Sequence, residues 1–577
     1  MAVPPSPSRR GHARRPYDFV VLSACCAWLA AVGPPGAAWG QQPCPDLFAP
    51  PPASGFQRMI GRHGLGGAPI TPGVVSAHIP PWDQPLLPPV AAPGGPAASA
   101  GAQTHPAPHA HPAPPRHDCR SADAPYQEFD FSPDPWLRDA PWDGCGDLDM
   151  YGGKFLNPTQ RPWVECFTPL YETGPWPPSY DWLGPTNLAR PKFYVFGDFR
   201  TAYANNNNVG NAQGVWANRL NLDIDFWITA TERFHMFWGP LDEGQQFSGL
   251  IFDANRIDVA DHLDGWDERT DTMFFEGDLG YIWGGLTGQA APFDLPFAAG
   301  LIPLVFQNGI WLEDAFVGVA ATIPARNSPE LDIANFDTTF FVGFEELTTG
   351  AFPGNDDATF VGATTFMERR GGYLELGWAF ADDPQNLGRS YHNLAVSYTR
   401  RYLNSVSNSM RVIGNVGQSG PRDQRTADGV LLLMENSLLT PNPYNVIPYL
   451  NMFAGFNRPQ PLGRLQGPLK NTGINFESDL LTGYPFLDDT GHNAYGGALG
   501  VDLLGAQFDR QLIVEAAMLQ AFDDPALRNA AGDQYAIGVR YQRRLNHALI
   551  LRLDAMHGWL RNSDDVDGVR VELRHKF

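Results

Sequence analysis

Six arginines, Arg200, Arg219, Arg540, Arg552, Arg570 and Arg574, each stand in a short segment where polar and apolar residues alternate. In an extended strand successive side chains point to opposite faces, so such segments gather their charges on one side. The final nine residues show the pattern. Val569, Val571, Leu573 and Phe577 share one face, and Arg570, Glu572, Arg574 and Lys576 share the other. Guanidinium groups repeated across neighbouring strands would attract anions, because their forked donors suit carboxylate and phosphate groups. Asp198, Asp223, Asp225, Asp554 and Glu572 fall on the same side. The set therefore allows an anion path, a mixed transverse field, or a group of salt bridges.

Other chemistry is not spelled out. The chain has no G-x-S-x-G elbow, H-E-x-x-H zinc site, phosphate-binding loop or dinucleotide fingerprint. His557 and Ser563 do not form a catalytic pattern, and His557 reads as an interfacial residue near a strand end. We therefore expect no enzyme activity, no metal and no cofactor. His105, His109, His111 and His117 lie in a Pro/Ala tract whose spacing fixes no coordination geometry. Of six cysteines, Cys44, Cys119, Cys145 and Cys166 follow the expected export signal. An even number in an oxidising compartment suggests one or two disulfides, with the pairing open.

The elements that would carry the charged ladder are strands. From about Phe193 to Phe577 the texture is uniform, with short alternating segments, aromatic residues and Gly/Asn/Asp turns. In Arg219 to Ile228, Leu220, Leu222, Ile224, Phe226 and Ile228 oppose Asn221, Asp223 and Asp225. Tyr373 to Phe380, Tyr535 to Gln542 and Leu549 to Ala555 repeat the rhythm, and Met273 to Trp283 reads as a further strand. Mean hydropathy is -0.26 and no run of eighteen apolar residues follows the amino-terminal segment. Helical spans are therefore not expected, whereas a barrel wall averages to this value because every second residue is polar. The fold class read from these features is all-β: a transmembrane antiparallel up-and-down β-barrel of about sixteen strands, roughly 14 to 18. Leu545-Asn546-His547 reads as a tight turn, and Gly417 to Asp428 and Gly455 to Gly473 read as long external loops.

The rest divides by composition. Residues 1–40 carry Arg9, Arg10, Arg14 and Arg15, an apolar stretch from Phe19 to Val32, and small residues Ala38 and Gly40, as in a secretory signal peptide. Residues 41–120 form a Pro/Ala/His-rich linker expected to lack a core. Residues 121–190 are dense in Trp and Pro and could serve as a disulfide-tied periplasmic cap or a plug. Residues 191–577 would form the barrel. A formal charge of -22 argues against nucleic acid as a partner.

The export signal, the alternating strands and the Arg574-His575-Lys576-Phe577 tail resemble a Gram-negative outer-membrane porin, although His575 replaces the usual apolar residue. More narrowly, Arg219 to Ile228, Ala299 to Pro303 and Ala315 to Ala320 are similar in rhythm to alginate-export and phosphate-selective porins. The resemblance implies an outer-membrane location, lipid around the wall, and Phe577 as a signal read by the barrel assembly machinery. It implies passive passage of small hydrophilic, including anionic, solutes. It leaves oligomeric state open, since general porins are often trimers and the alginate-export type is often monomeric. The alternative is a structural or adhesive surface barrel with a plugged lumen, tethered through its amino-terminal arm.

Overall fold

The computed structural model describes residues 162–577, except 169, 171–177, 244–245, 254–255, 264, 355, 404, 441–444, 478–479, 506–507 and 523–530. The proposed signal and linker, most of 121–190, and Cys44, Cys119 and Cys145 lie outside the described residues. Cys166 forms no disulfide with a described residue.

The chain enters through a short strand, β1 (Val164–Cys166), which pairs with β2 (Lys192–Asn208). β2 turns at Val209 and Gly210, both with positive φ, into β3 (Asn211–Trp227). The third stave of the wall is broken into β4 (Arg233–Trp238) and β6 (Gln246–Asp253), which pair with opposite halves of β3, with β5 (Asp242–Glu243) between them. The fourth is likewise broken, into β7 (Arg256–Leu263) and β8 (Thr272–Asp278). Helix α1 (Leu279–Thr287) follows. Then come β9 (Pro296–Phe306), β10 (Leu312–Ser328), β11 (Ile333–Glu345), β12 (Thr359–Arg369), β13 (Gly372–Asp382) and β14 (Tyr391–Tyr402). The meander continues through β15 (Val406–Val416), β16 (Val430–Leu438) and β17 (Val446–Phe456). A two-residue strand, β18 (Gly463–Arg464), lies inside the barrel. The wall resumes with β19 (Ala494–Leu504), β20 (Arg510–Ala521), β21 (Gln534–Arg544), β22 (Leu549–Leu560) and β23 (Val566–Lys576).

β23 pairs antiparallel with β2, from Asp198 opposite Lys576 to Asn207 opposite Asp567, and closes the wall. The closed barrel has eighteen staves, not sixteen. The difference lies partly in the broken staves, whose interrupting turns hide the alternation. The segment Met273 to Trp283 is another correction: only its first half is strand. Asp278 accepts hydrogen bonds from the Gly280 and Tyr281 amides, and this cap starts a helix where the alternation appeared to continue.

The two faces of the wall differ sharply. In β23, Val569 is 59% exposed on the outside, whereas Arg570 is 1% exposed on the inside. Tyr203, Trp216, Trp378, Tyr495, Tyr535 and Trp559 form an exposed outer band toward the rim that carries the long loops. Phe199, Phe234 and Tyr402 are exposed on the outer face toward the opposite rim, where β2 begins and β23 ends. Among the described residues no helix is long and apolar enough to cross a membrane. The oily, aromatic-banded outer face and charged inner face match a strand wall that sits in lipid and encloses water.

The last residue extends β23. The Phe577 amide donates to Gly197 O at 3.0 Å, and the Gly197 amide donates to Phe577 O at 2.9 Å. Gly197 is required here, because a Cβ would lie 2.7 Å from the Phe577 ring. Trp163 meets that ring edge-on at 5.3 Å.

Candidate functional site

The inner wall carries the arginines singled out in the sequence. Register places Arg540 opposite Asp554 and Asp554 opposite Arg570, across β21, β22 and β23. All point inward and converge on one carboxylate. Asp554 accepts from Arg540 Nε at 2.7 Å, Arg552 Nε at 2.8 Å and Arg570 Nη2 at 2.7 Å. Beside it, Asp198 accepts from Arg574 Nε at 2.7 Å, Arg200 Nε at 3.1 Å and Asn221 Nδ2 at 3.1 Å. Glu572 lies 4.0 Å from Arg200. The mutual repulsion of so many guanidinium groups is tolerable only because carboxylates alternate with them.

A second element completes this cluster. Between β17 and β19, the described residues of 457–493 turn inward instead of standing outside as the sequence suggests for Gly455 to Gly473. Glu477, on this segment, pairs with Arg540 and lies 3.1 Å from Arg552 Nη2. The Arg570 guanidinium stacks over the Tyr484 ring at 5.0 Å. The segment crosses the lumen, so that β18 pairs in parallel with Leu312 and Glu313 of β10. It returns past β20, where Glu515 accepts from the Ile474 and Asn475 amides at 2.9 Å, and past β2, where Asn206 donates to Thr482 O at 2.7 Å. Leu462, Leu469, Phe476 and Leu487 are fully buried against the wall. Each such burial stabilises by roughly 1.5–3 kcal/mol, which holds the segment in place.

The β9–β10 hairpin also leans inward. β8 pairs with β9 only as far as Leu301, and β11 pairs with β10 only from Val317 onward, so the hairpin tip leaves the wall. Trp311 at the tip lies over Gly377 of β13 and donates Nε1 to Asn393 Oδ1 of β14 at 2.9 Å. Phe316, Phe341 and Phe360 fill the space behind it.

A further ion-paired set lies on β3, β4 and β8, where Arg219 is the most exposed side chain. Arg219 is 3.4 Å from Asp242, and Arg233 pairs with Glu276 and lies 3.6 Å from Asp225. His235 Nδ1 is 2.6 Å from Asp225 and Nε2 is 3.6 Å from Asp223. On β10 Glu313 meets Arg464 at 3.1 Å and Lys470 at 3.8 Å, both on the infolded segment. The side chains of Glu313 and Arg219 are 35% and 27% exposed.

Arg200, Arg540, Arg552, Arg570, Arg574, Asp554 and Glu572 thus gather in one cluster with Asp198. Arg219, Asp223 and Asp225 line a separate strip. Arg233 and His235 alternate with Phe234 and Met236, a signal that could have found them. Glu477 and Lys470 sit among Gly, Pro and Asn residues without a period, and no local signal marks them. Among the described residues, no three His, Cys, Asp or Glu side chains are grouped to hold a metal ion.

Compared with known proteins by sequence, the chain matches no protein-family model and no curated protein. Several solved structures share its outline. OccK5 (OpdH) of Pseudomonas aeruginosa is 12% identical, with a TM-score of 0.44, covering 67% of this chain and 98% of that one. OccK11 (OpdR) of the same organism is 13% identical, with a TM-score of 0.43 over 67% and 96%. The outer membrane protein OpdK, also from P. aeruginosa, is 13% identical, with a TM-score of 0.42 over 66% and 98%. Similarity at this level says nothing about solute or selectivity.

Proposed function

We propose that the protein is an outer-membrane channel giving passive passage to small hydrophilic solutes. The observation that carries this reading is a set of partly exposed charges inside the barrel, Arg219 on β3, Glu313 on β10 and Lys470 on the infolded segment. Side chains that served only to glue a filled core would be buried, as those around Asp554 are. In this reading residues 457–493 narrow the lumen. The narrower resemblance, to alginate-export and phosphate-selective porins, would favour anions. The arginine cluster gives that preference little support, because carboxylates partner its guanidinium groups. The partly exposed charges are of both signs, Arg219 and Lys470 beside Glu313, which supports passage without anion preference.

A plugged structural barrel is the second reading, favoured by the complete burial of Leu462, Leu469, Phe476 and Leu487 on the infolded segment. Planar-bilayer recordings of purified, folded protein separate the two. A channel gives steady unitary steps whose permeability ratio does not favour anions. Silence from demonstrably folded protein would support the plug.

A further inference from the structure

Helix α1 is amphipathic in the inverted sense. Its glycines face the protein. A Cβ on Gly285 would lie 2.0 Å from Leu183 O, and one on Gly280 would lie 2.4 Å from Phe293 O. Its large side chains face away. Leu279, Ile282, Trp283 and Leu286 follow the i, i+3, i+4, i+7 spacing of one helical face. Leu286 is 78% exposed and Trp283 51%, and no charged residue occurs between Asp278 and Asp294. Two interior glycines plus Gly280 cost the helix about 1 kcal/mol each relative to alanine, so its own propensity does not explain it.

The place of the helix in the wall bears on what covers this face. α1 follows β8 directly, at the rim where β2 begins. On the outer wall of that sector Phe234, Phe275 and Phe297 form a row across β4, β8 and β9, with ring centroids 4.9 and 5.9 Å apart. Leu279, 40% exposed, stands four residues beyond Phe275, and its amide donates to Leu295 O at 3.1 Å, two residues before Phe297, so the helical face starts where this lipid-facing row ends. Trp side chains favour such a rim, where acyl chains meet headgroups.

We infer that α1 is an interfacial anchor, laying its Leu279–Ile282–Trp283–Leu286 face into the lipid headgroup region beside the barrel. The inference rests on the membrane-spanning reading of the wall. The partner is a lipid surface, and the absence of charge on the helix makes the contact insensitive to the sign of the headgroups.

The test is fluorine NMR of full-length protein carrying 5-fluorotryptophan in bilayer nanodiscs, with the Trp283 resonance assigned by its loss in Trp283→Phe. Nitroxide-labelled lipid should broaden the signals of both Trp283 and the wall residue Trp216, and a soluble gadolinium chelate should leave Trp283 sharp. A Trp283 signal that responds to the chelate and not to the lipid, while Trp216 responds to lipid, would overturn the inference alone. Protection of Trp283 from both probes would mean a protein covers this face, which also overturns it. Failure of Trp216 to respond to lipid would instead remove the membrane reading on which the inference depends.

Discussion

Asp554 shows how much one carboxylate can decide. It partners three guanidinium groups in a buried position, so replacing it by asparagine removes the negative charge that all three share. Breaking such a buried set costs about 3–5 kcal/mol. Asp554→Asn should lower the temperature at which the folded, heat-modifiable band is lost on gels; an unchanged transition would show that the cluster is well hydrated. Glu477 plays a different part, because it reaches the cluster from the infolded segment. Glu477→Gln removes one negative charge beside Arg540 and Arg552, and should shift the reversal potential in a salt gradient toward anions. Outside the wall, Asp294 offers a pH test. Its hydrogen bond with Asp278, helped by burial, raises its carboxyl to about 6. A raised acid is favoured in its protonated form by the folded state, so this contribution is present at low pH and is lost as pH rises through about 6. Asp294→Asn should therefore stabilise the protein at pH 7.5 and change little at pH 4.5, read from the same gel transition.

At the scale of elements, the alternating strands were legible because period-two patterning survives wherever one face meets lipid. The inward position of Arg540, Arg552, Arg570 and Arg574 follows from parity alone. The partners of those arginines were not legible, since Glu477 comes from a segment without periodicity whose path depends on distant wall residues. The broken staves failed for a related reason: a few turn residues reset the parity, and Asp278 starts a helix within an apparent strand. At the tip of the inward hairpin there is a close approach, where a Cβ at Gly377 would come 2.6 Å from the Trp311 ring. Gly377→Val should displace that ring and destabilise by about 1–3 kcal/mol. Intrinsic fluorescence and the gel transition would register it; an unchanged spectrum and stability would place the tip elsewhere.

For the whole molecule, the account comes down to how the lumen is divided. One part is sealed by the ionic cluster around Asp554 and by apolar packing of residues 457–493, and another keeps the partly exposed charges. The most direct measurement is unitary conductance of the full chain beside a variant in which residues 466–487 are replaced by a short Gly/Ser linker. The account predicts steady small steps from the full chain and severalfold larger steps from the variant, both with folding confirmed. Silence from the full chain with steps only from the variant would contradict it, because the infolded segment would then be a plug and not a constriction.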